Sequence, residues 1–318
     1  MIVNIAVLLV FLLVTIAFGL LVRRAWRAKR WFIKLPGVLA AGLLTLIFAL
    51  ITILAADGLS QVLIPRGSPV SDLKVQGTPE QIARGQHLAN SICVGCHTLN
   101  GELPLSGGRD VGADLPVPLG SFFSINLTPA GPLKDWSDGE ILRVLREGVD
   151  RDGHPLVVMS SNGVRYLSEE DKQAIIAYLR SQPAVTNVTP NPPDQPSFLA
   201  AVMLGAGVVQ FQPPLAGTVS APPKAVTADY GKYVVDYEDC RFCHGVDLTG
   251  GTNPNYPKGP SLRVVLGWTQ DQFVATLRTG KDPGGHALSD AMPWKDFARL
   301  DDVELGAVHA YLKSLPSQ

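Results

Sequence analysis

Cysteine is scarce in this chain: four occur in 318 residues, all within two Cys-x-x-Cys-His groups, so no thiol remains for a disulfide framework. Acidic residues are missing altogether from the first 56 positions, which hold six of the 27 Lys and Arg. Beyond them the remaining 21 cations face all 28 Asp and Glu, a formal balance of −7. An acidic outer part of this kind argues against a nucleic-acid partner; it suits docking to basic patches, or simply a solvated surface. Sustained alternation of apolar and polar residues is absent too, which leaves no argument for a sheet.

Apolar residues are concentrated at the start of the chain. Two runs, Ile2 to Val22 and Pro36 to Ala56, are each about 20 residues and about 30 Å long as helices, enough to cross a bilayer. Between them stand Arg23, Arg24, Arg27, Lys29, Arg30 and Lys34 with Trp26 and Trp31. The positive-inside rule and the interfacial preference of tryptophan place this turn at the cytoplasmic face. Spans 2–22 and 36–56 therefore predict an anchoring hairpin over residues 1–60 that runs out, in, out. It lies in the cytoplasmic (inner) membrane, with the rest of the chain on the periplasmic side. A cleaved signal peptide fits worse, because the charges follow the first run instead of preceding it.

The cysteine groups are Cys93-Val94-Gly95-Cys96-His97 and Cys240-Arg241-Phe242-Cys243-His244. Two thiols three residues apart on one turn can each add to a haem vinyl group while the adjacent imidazole meets the iron. A redox dithiol would explain neither histidine. A four-cysteine zinc site wants pairs about 15–20 residues apart, whereas these are 147 apart.

The surroundings of the two motifs repeat. Trp136 to Leu156 returns 132 residues later from Trp268 to Leu288, and Ala177-Tyr178-Leu179 returns 133 later as Ala310-Tyr311-Leu312. The chain reads as two copies of one helical domain, 79–183 and 228–318, after a linker at 61–78 and with a proline-rich linker at 184–227. The expected fold class is all-α, a transmembrane hairpin followed by two tandem domains. The first copy holds 15 extra residues, placed in the Gly/Pro-rich stretch from Asn100 to Pro132, which predicts a loop. Helix starts are marked by Thr78-Pro79, by the capping boxes Ser137/Glu140 and Thr269/Gln272, and by Ser168 and Asp301. Within the second linker the apolar run Phe198 to Phe211 is, at 14 residues, too short to cross. It straps the domains together or rests on a partner or the bilayer surface.

Met159 and Met292 occupy matched places in the two copies. A thioether opposite histidine favours ferrous iron and raises its potential, which suits a carrier, so each is a candidate sixth ligand beside His97 and His244. His154 and His286, also matched, are spare candidates against a surface role, while His87 and His309 read as ordinary helix-surface residues.

At these residues both copies resemble class I cytochrome c domains. The first is similar to the cytochrome subunits of membrane-bound alcohol, aldehyde and sugar dehydrogenases, through Pro118-Leu119-Gly120, Asn126-Leu127-Thr128-Pro129, Trp136 to Ile141 and Leu167 to Asp171. The resemblance implies two haem c groups held by Cys93, Cys96, His97, Cys240, Cys243 and His244, with Met159 and Met292 on the irons. It also implies close packing of Gly85 on Tyr178 and of Gly231 on Tyr311, a Pro260 carbonyl orienting the proximal imidazole, and Asn126 at the cofactor. Those relatives usually carry three haems and a C-terminal anchor. An N-terminal anchor before two haem domains is similar instead to the di-haem subunit of high-affinity haem-copper oxidases. The expected role is that of an electron carrier and not an enzyme, in a respiratory or photosynthetic chain. Its donor would be a dehydrogenase or quinol-oxidising complex, and its acceptor an oxidase, reaction centre or soluble cytochrome. The alternative is a di-haem peroxidase, which needs one iron with an open sixth position.

Overall fold

A computed structural model describes residues 1–252 and 258–316; within the expected second domain, residues 253–257 and 317–318 lie outside the described residues. Both apolar runs are helices that reach past the expected spans, α1 over Ile2–Trp26 and α2 over Trp31–Leu63. Their most apolar 18-residue stretches have mean hydropathies of 3.2 and 2.7 and bury few residues, which suits a lipid environment. Phe48 lies between Phe11 and Phe18, with ring centroids 5.5 and 5.6 Å away. Thr15, Thr45 and Thr52 each donate to the carbonyl four residues back, so their hydroxyls are satisfied within the helix. The cations gather at the closed end of the hairpin, where Lys34 Nζ sits 4.2 Å above the Trp26 ring.

The open end of the hairpin meets the rest of the chain. Asn4 Nδ2 donates to the Pro196 carbonyl at 2.7 Å. The apolar linker run folds as helix α7 (Phe198–Gly205) and docks on α2 through a pair of glycines. A Cβ on Gly58 would fall 1.8 Å from the Ala201 oxygen, and one on Gly205 1.9 Å from the Leu54 oxygen, so the two backbones touch where no side chain fits. The linker thus clamps the hairpin instead of only joining the repeats.

Helices α3 (Pro79–Ile92), α4 (Val94–His97), α5 (Asp138–Glu147) and α6 (Glu169–Ser181) form the first repeat. The second consists of α8 (Ala228–Tyr237), α9 (Cys240–His244), α10 (Gln270–Thr279), α11 (Trp294–Phe297) and α12 (Asp302–Ser314). Capping boxes close the starts of α3, α5, α10 and α12, and Gly148 and Gly280 end α5 and α10 with φ of +64° and +68°. In each repeat the first helix crosses the last at a glycine. A Cβ on Gly85 would lie 1.9 Å from the Ala174 oxygen and 2.9 Å from Tyr178 Cβ; on Gly231 the distances are 1.9 Å to Ala307 and 2.8 Å to Tyr311.

Mostly helical, the fold departs from the all-α expectation at one sheet among the described residues. Gly120–Phe122 (β1) pairs antiparallel with Asp194–Pro196 (β2), in the register Gly120↔Pro196, Ser121↔Gln195 and Phe122↔Asp194. Three residues per strand are too few to show alternation, and the partners come from distant segments. The pairing satisfies backbone groups of a loop that is pinned under α7, where Leu119, Phe122 and Ala200 make a small second core.

The repeats share one apolar core and a buried ionic seam. Arg84 on α3 grips Asp171 of its own repeat with two bonds of 2.8 Å and reaches Glu304 on α12 at 3.1 Å. Glu304 has no exposed side-chain area and also meets His87 at 2.7 Å and Lys224 at 3.3 Å. Tyr233 crosses the other way, donating to Asp171 at 2.7 Å and accepting from the Ser168 N–H at 2.8 Å. The surface placement expected for two histidines is therefore corrected. His87 belongs to the seam, because the acid that pairs with it comes from the other repeat. His309 is 8% exposed, on Phe273 and 3.1 Å from the Trp268 carbonyl.

Burial alone would raise the Glu304 carboxyl, but the hydrogen bond and charge of His87, the Asp301 backbone and Lys224 outweigh it and hold it at about 2. The stability this supplies is complete above the unfolded glutamate range and is lost as pH falls towards 2. Glu304→Gln should cost about 1.5–3 kcal/mol, since it removes the buried carboxylate that Arg84, His87 and Lys224 share. A denaturation midpoint unchanged in that variant at pH 7 would contradict the seam's role. Gly85→Ala and Gly231→Ala should each cost about 1–3 kcal/mol by forcing helices apart, read as a lower thermal midpoint in detergent.

Candidate functional site

Helix α3 ends on Cys93, whose N–H still bonds the Ala89 carbonyl at 3.0 Å, and the chain turns at once into α4. The His97 N–H closes that turn on the Cys93 carbonyl at 2.8 Å. Both thiols and the imidazole of the first motif are thereby delivered by one helical turn. The same happens in the second repeat, where Asp239 adopts φ +56° between α8 and α9.

Each imidazole is then fixed by a backbone carbonyl. His97, 9% exposed, holds the Ile125 oxygen 3.0 Å from Nδ1; His244, 5% exposed, holds the Pro260 oxygen at 2.7 Å. The carbonyl-bearing loops are stitched to their motifs by the bonds Gly107 N–H to His97 O (2.8 Å), Gly250 N–H to His244 O (2.9 Å) and Gly259 N–H to Cys243 O (2.8 Å). Gly259 is needed for the approach, because a Cβ there would sit 2.7 Å from His244 Nδ1.

The residue expected at the cofactor in the first repeat, Asn126, braces the loop next to the carbonyl that reaches His97. It is 1% exposed, accepts from Thr128 N–H and hydroxyl at 2.9 and 2.7 Å, and donates to the Val185 carbonyl at 2.8 Å. Those bonds commit its amide to bracing the loop, and the neighbouring Ile125 carbonyl is what reaches His97. No side-chain signal could have found Ile125, since only its backbone takes part.

Met159 and Met292 are half-buried, packed on the core at whose edge Cys93 and Cys240 also lie. The spare candidates sit beside aspartates. Each closes a turn on an aspartate, His154 N–H to Asp150 and His286 N–H to Asp282, both at 2.9 Å, with the rings 3.6 and 3.1 Å from the same carboxylates. Each methionine loop also seats on the other repeat's cysteine motif. Gly163, four residues after Met159, would place a Cβ 2.5 Å from the Tyr237 oxygen and 2.9 Å from Asp239 Cβ. Asp296, four residues after Met292, lies against Gly95, where a Cβ would be 3.0 Å from its Oδ2. Arg299 bonds the carbonyls of Asn90 at 2.9 Å and Gly101 at 2.5 Å. Arg109, from the first repeat's insertion, covers the same loop by donating to Gly95 O at 2.5 Å.

All four thiols are free. Burial raises each of them, Cys93 to about 12, with the neighbouring Cys96 and Glu238 adding to the effect there. A redox dithiol or zinc thiolate would need the opposite shift. Among the described residues the only gathering of three metal-binding side chains is His87, Asp301 and Glu304, and Lys224 and Arg84 already neutralise its acids. The four cysteines therefore do not share one site. Two free thiols and an imidazole on one turn, with Nδ1 used by a carbonyl and Nε2 unbonded among the described residues, fit a thioether-linked haem whose iron takes Nε2.

Comparison with known proteins gives the same chemistry. The family described as "Cytochrome C oxidase, cbb3-type, subunit III" matches twice, over residues 80–179 and 221–312. The fructose dehydrogenase cytochrome subunit of Gluconobacter japonicus is 24% identical over 298 residues, 83% of this chain and 60% of that protein. The cytochrome c subunit of the quinone-dependent alcohol dehydrogenase of Gluconacetobacter polyoxogenes is 27% identical over 277 residues, 74% of this chain and 56% of its own length. A protein named diheme cytochrome c-type from Cereibacter sphaeroides is 35% identical over 112 residues, 34% of this chain and 37% of its own. The chain spans less than two thirds of each of these relatives.

Replacing Cys93 and Cys96 together by alanine, or Cys240 and Cys243 together, should halve the porphyrin mass that stays covalently attached, as read by intact-chain mass spectrometry. Full retention in either double variant would contradict the assignment of that motif.

Proposed function

The chain belongs to the cytochrome c oxidase, cbb3-type, subunit III family, and from that premise we propose that it carries two haem c groups and passes single electrons along a respiratory or photosynthetic chain. Two tandem class I cytochrome c domains, at 79–183 and 228–318, would each hold one haem, through Cys93 and Cys96 and through Cys240 and Cys243. His97, His244, Met159 and Met292 would supply the side chains that hold the irons. The observation that carries this proposal is the pair of buried imidazoles, each on a Cys-x-x-Cys-His turn and each with Nδ1 held by a backbone carbonyl.

Haem c, when bound, supplies a one-electron iron couple that side chains and backbone lack. The protein's own contribution is positional. The Ile125 and Pro260 carbonyls fix the imidazole tautomer and raise the basicity of the ligating nitrogen. A thioether opposite would favour the ferrous state. The interlocked methionine loops tie each repeat to the other's cysteine motif, which supports transfer of an electron from one repeat to the other.

Residues 1–60 are the membrane anchor in this proposal, with the haem domains on the periplasmic side. The cations of the 23–34 turn lie at one end of the hairpin, while Asn4 and α7 hold the repeats to the other end. With the positive-inside rule this arrangement supports repeats that lie outside. Relatives that are subunits of fructose and alcohol dehydrogenases make a membrane dehydrogenase the favoured electron donor. The acceptor would be an oxidase, a reaction centre or a soluble cytochrome.

Spectroelectrochemical titration of the purified protein should give two one-electron steps from low-spin iron, with no turnover of peroxide. A high-spin ferric site that turns over peroxide would contradict the carrier role. Met292→Leu should keep its porphyrin but lose the low-spin signal of one site and lower its midpoint potential. A phosphatase reporter fused after Gln318 should be active only outside the cytoplasm, and an inactive but stable fusion would reverse the topology.

A further inference from the structure

Between the two cysteine motifs lies an acid that none of the roles above uses. Glu238 ends α8, two residues before Cys240, and is buried where the repeats meet (9% exposed). Among the described residues its Oε1 has no hydrogen-bond partner, and neither has the Oη of the adjacent Tyr237. The groups that face it come from every side of the seam. Ser91 stands opposite on α3, Asp296 on α11 and Glu304 on α12. Cys93 of the first motif and Cys240 of the second both feel its charge, and Asp239 follows it in the chain. No cation acts on it among the described residues.

A carboxylate in such a place is held against its own desolvation with one oxygen unbonded, so adding a proton relieves the cost. Burial, reinforced by Glu304 and Asp296 and opposed by the Ser91 hydroxyl, pushes its carboxyl up to about 8, so it titrates close to physiological pH. An electron arriving at either neighbouring site adds negative charge within reach of this one group, and in a buried environment that charge is poorly screened.

We propose that Glu238 is a proton store shared by the two redox sites. It takes a proton from solvent onto its carboxylate when either site is reduced, and releases it when the electron leaves. The electron comes from the donor and the proton from water; only one O–H bond is made or broken. This inference rests on the two-haem proposal above, and the same group serves both sites because the methionine loops lock the motifs together across the seam.

The test is redox titration of the full-length protein in detergent at a series of pH values, with haem content measured in the same samples. Both midpoint potentials should fall as pH rises through the region near 8, by up to about tenfold in the reduction equilibrium, or 59 mV, per pH unit. In Glu238→Gln two steps should remain, with that dependence gone. Asp239→Asn should keep it, although the Asp239 carboxyl is itself raised by burial to about 7. Ser91→Ala, which removes the group that opposes the shift, should move the window to higher pH, and it carries the test if the Gln variant fails to mature. Reduction should also produce a protonated-carboxyl infrared band in the wild type that Glu238→Gln lacks. Two steps with superimposable pH profiles in wild type and Glu238→Gln would overturn the inference and leave the carrier proposal standing. Absence of two steps in the wild type would count against both.

Discussion

One hydrogen bond made twice organises this molecule: the buried bond between the imidazole Nδ1 of a Cys-x-x-Cys-His turn and a main-chain carbonyl, 3.0 Å to Ile125 in the first repeat and 2.7 Å to Pro260 in the second. An imidazole without it could turn or change tautomer, and its Nε2 would not be aimed. Much of the surrounding architecture serves to bring the carbonyl and the ring together. Glycine at 85 and at 231 lets the first helix lie on the last, so the cysteine turn starts from a fixed base. Loops of unequal length then return to the ring, 28 residues after His97 but 16 after His244, and each is tied back to its motif by backbone bonds.

The repeats are alike in this device and unlike in their surroundings. In the first, the turn before Met159 is covered by the chain leaving α2: Arg66 N–H donates to the Gly153 carbonyl at 2.8 Å and Arg143 bonds Ser68 O at 2.9 Å. Asp194 of the small sheet adds a bond to Val157 N–H at 2.8 Å, and burial pushes that carboxyl up to about 6. The equivalent turn of the second repeat stands in solvent, with the His286 side chain 83% exposed. The duplication thus yields one site braced against the hairpin and one that faces outward, joined through a seam that buries Glu304 and Glu238 and half-buries Arg84.

What the sequence made legible followed from local chemistry. Cys-x-x-Cys-His marks two turns that each present two thiols and an imidazole, two long apolar runs mark the N-terminal helices, and capping residues such as Ser137 with Glu140 mark helix starts wherever the fold sits. What it hid depended on partners distant in the chain. Ile125 acts through a carbonyl that every residue type possesses. His87 looked like a surface residue because the acid that pairs with it lies 217 positions away. The three-residue strands at Gly120 and Asp194 are too short for a period, and α7 docks through glycines whose meaning appears only when two backbones meet.

The account stands on two irons per chain, each attached through a pair of thioethers and an imidazole. The most direct measurement is the alkaline pyridine haemochrome spectrum of the wild-type protein purified from its membrane, set against protein concentration. Two thioether-linked haems per polypeptide are predicted; a value of one, or a spectrum of unmodified vinyl haem, would contradict the account.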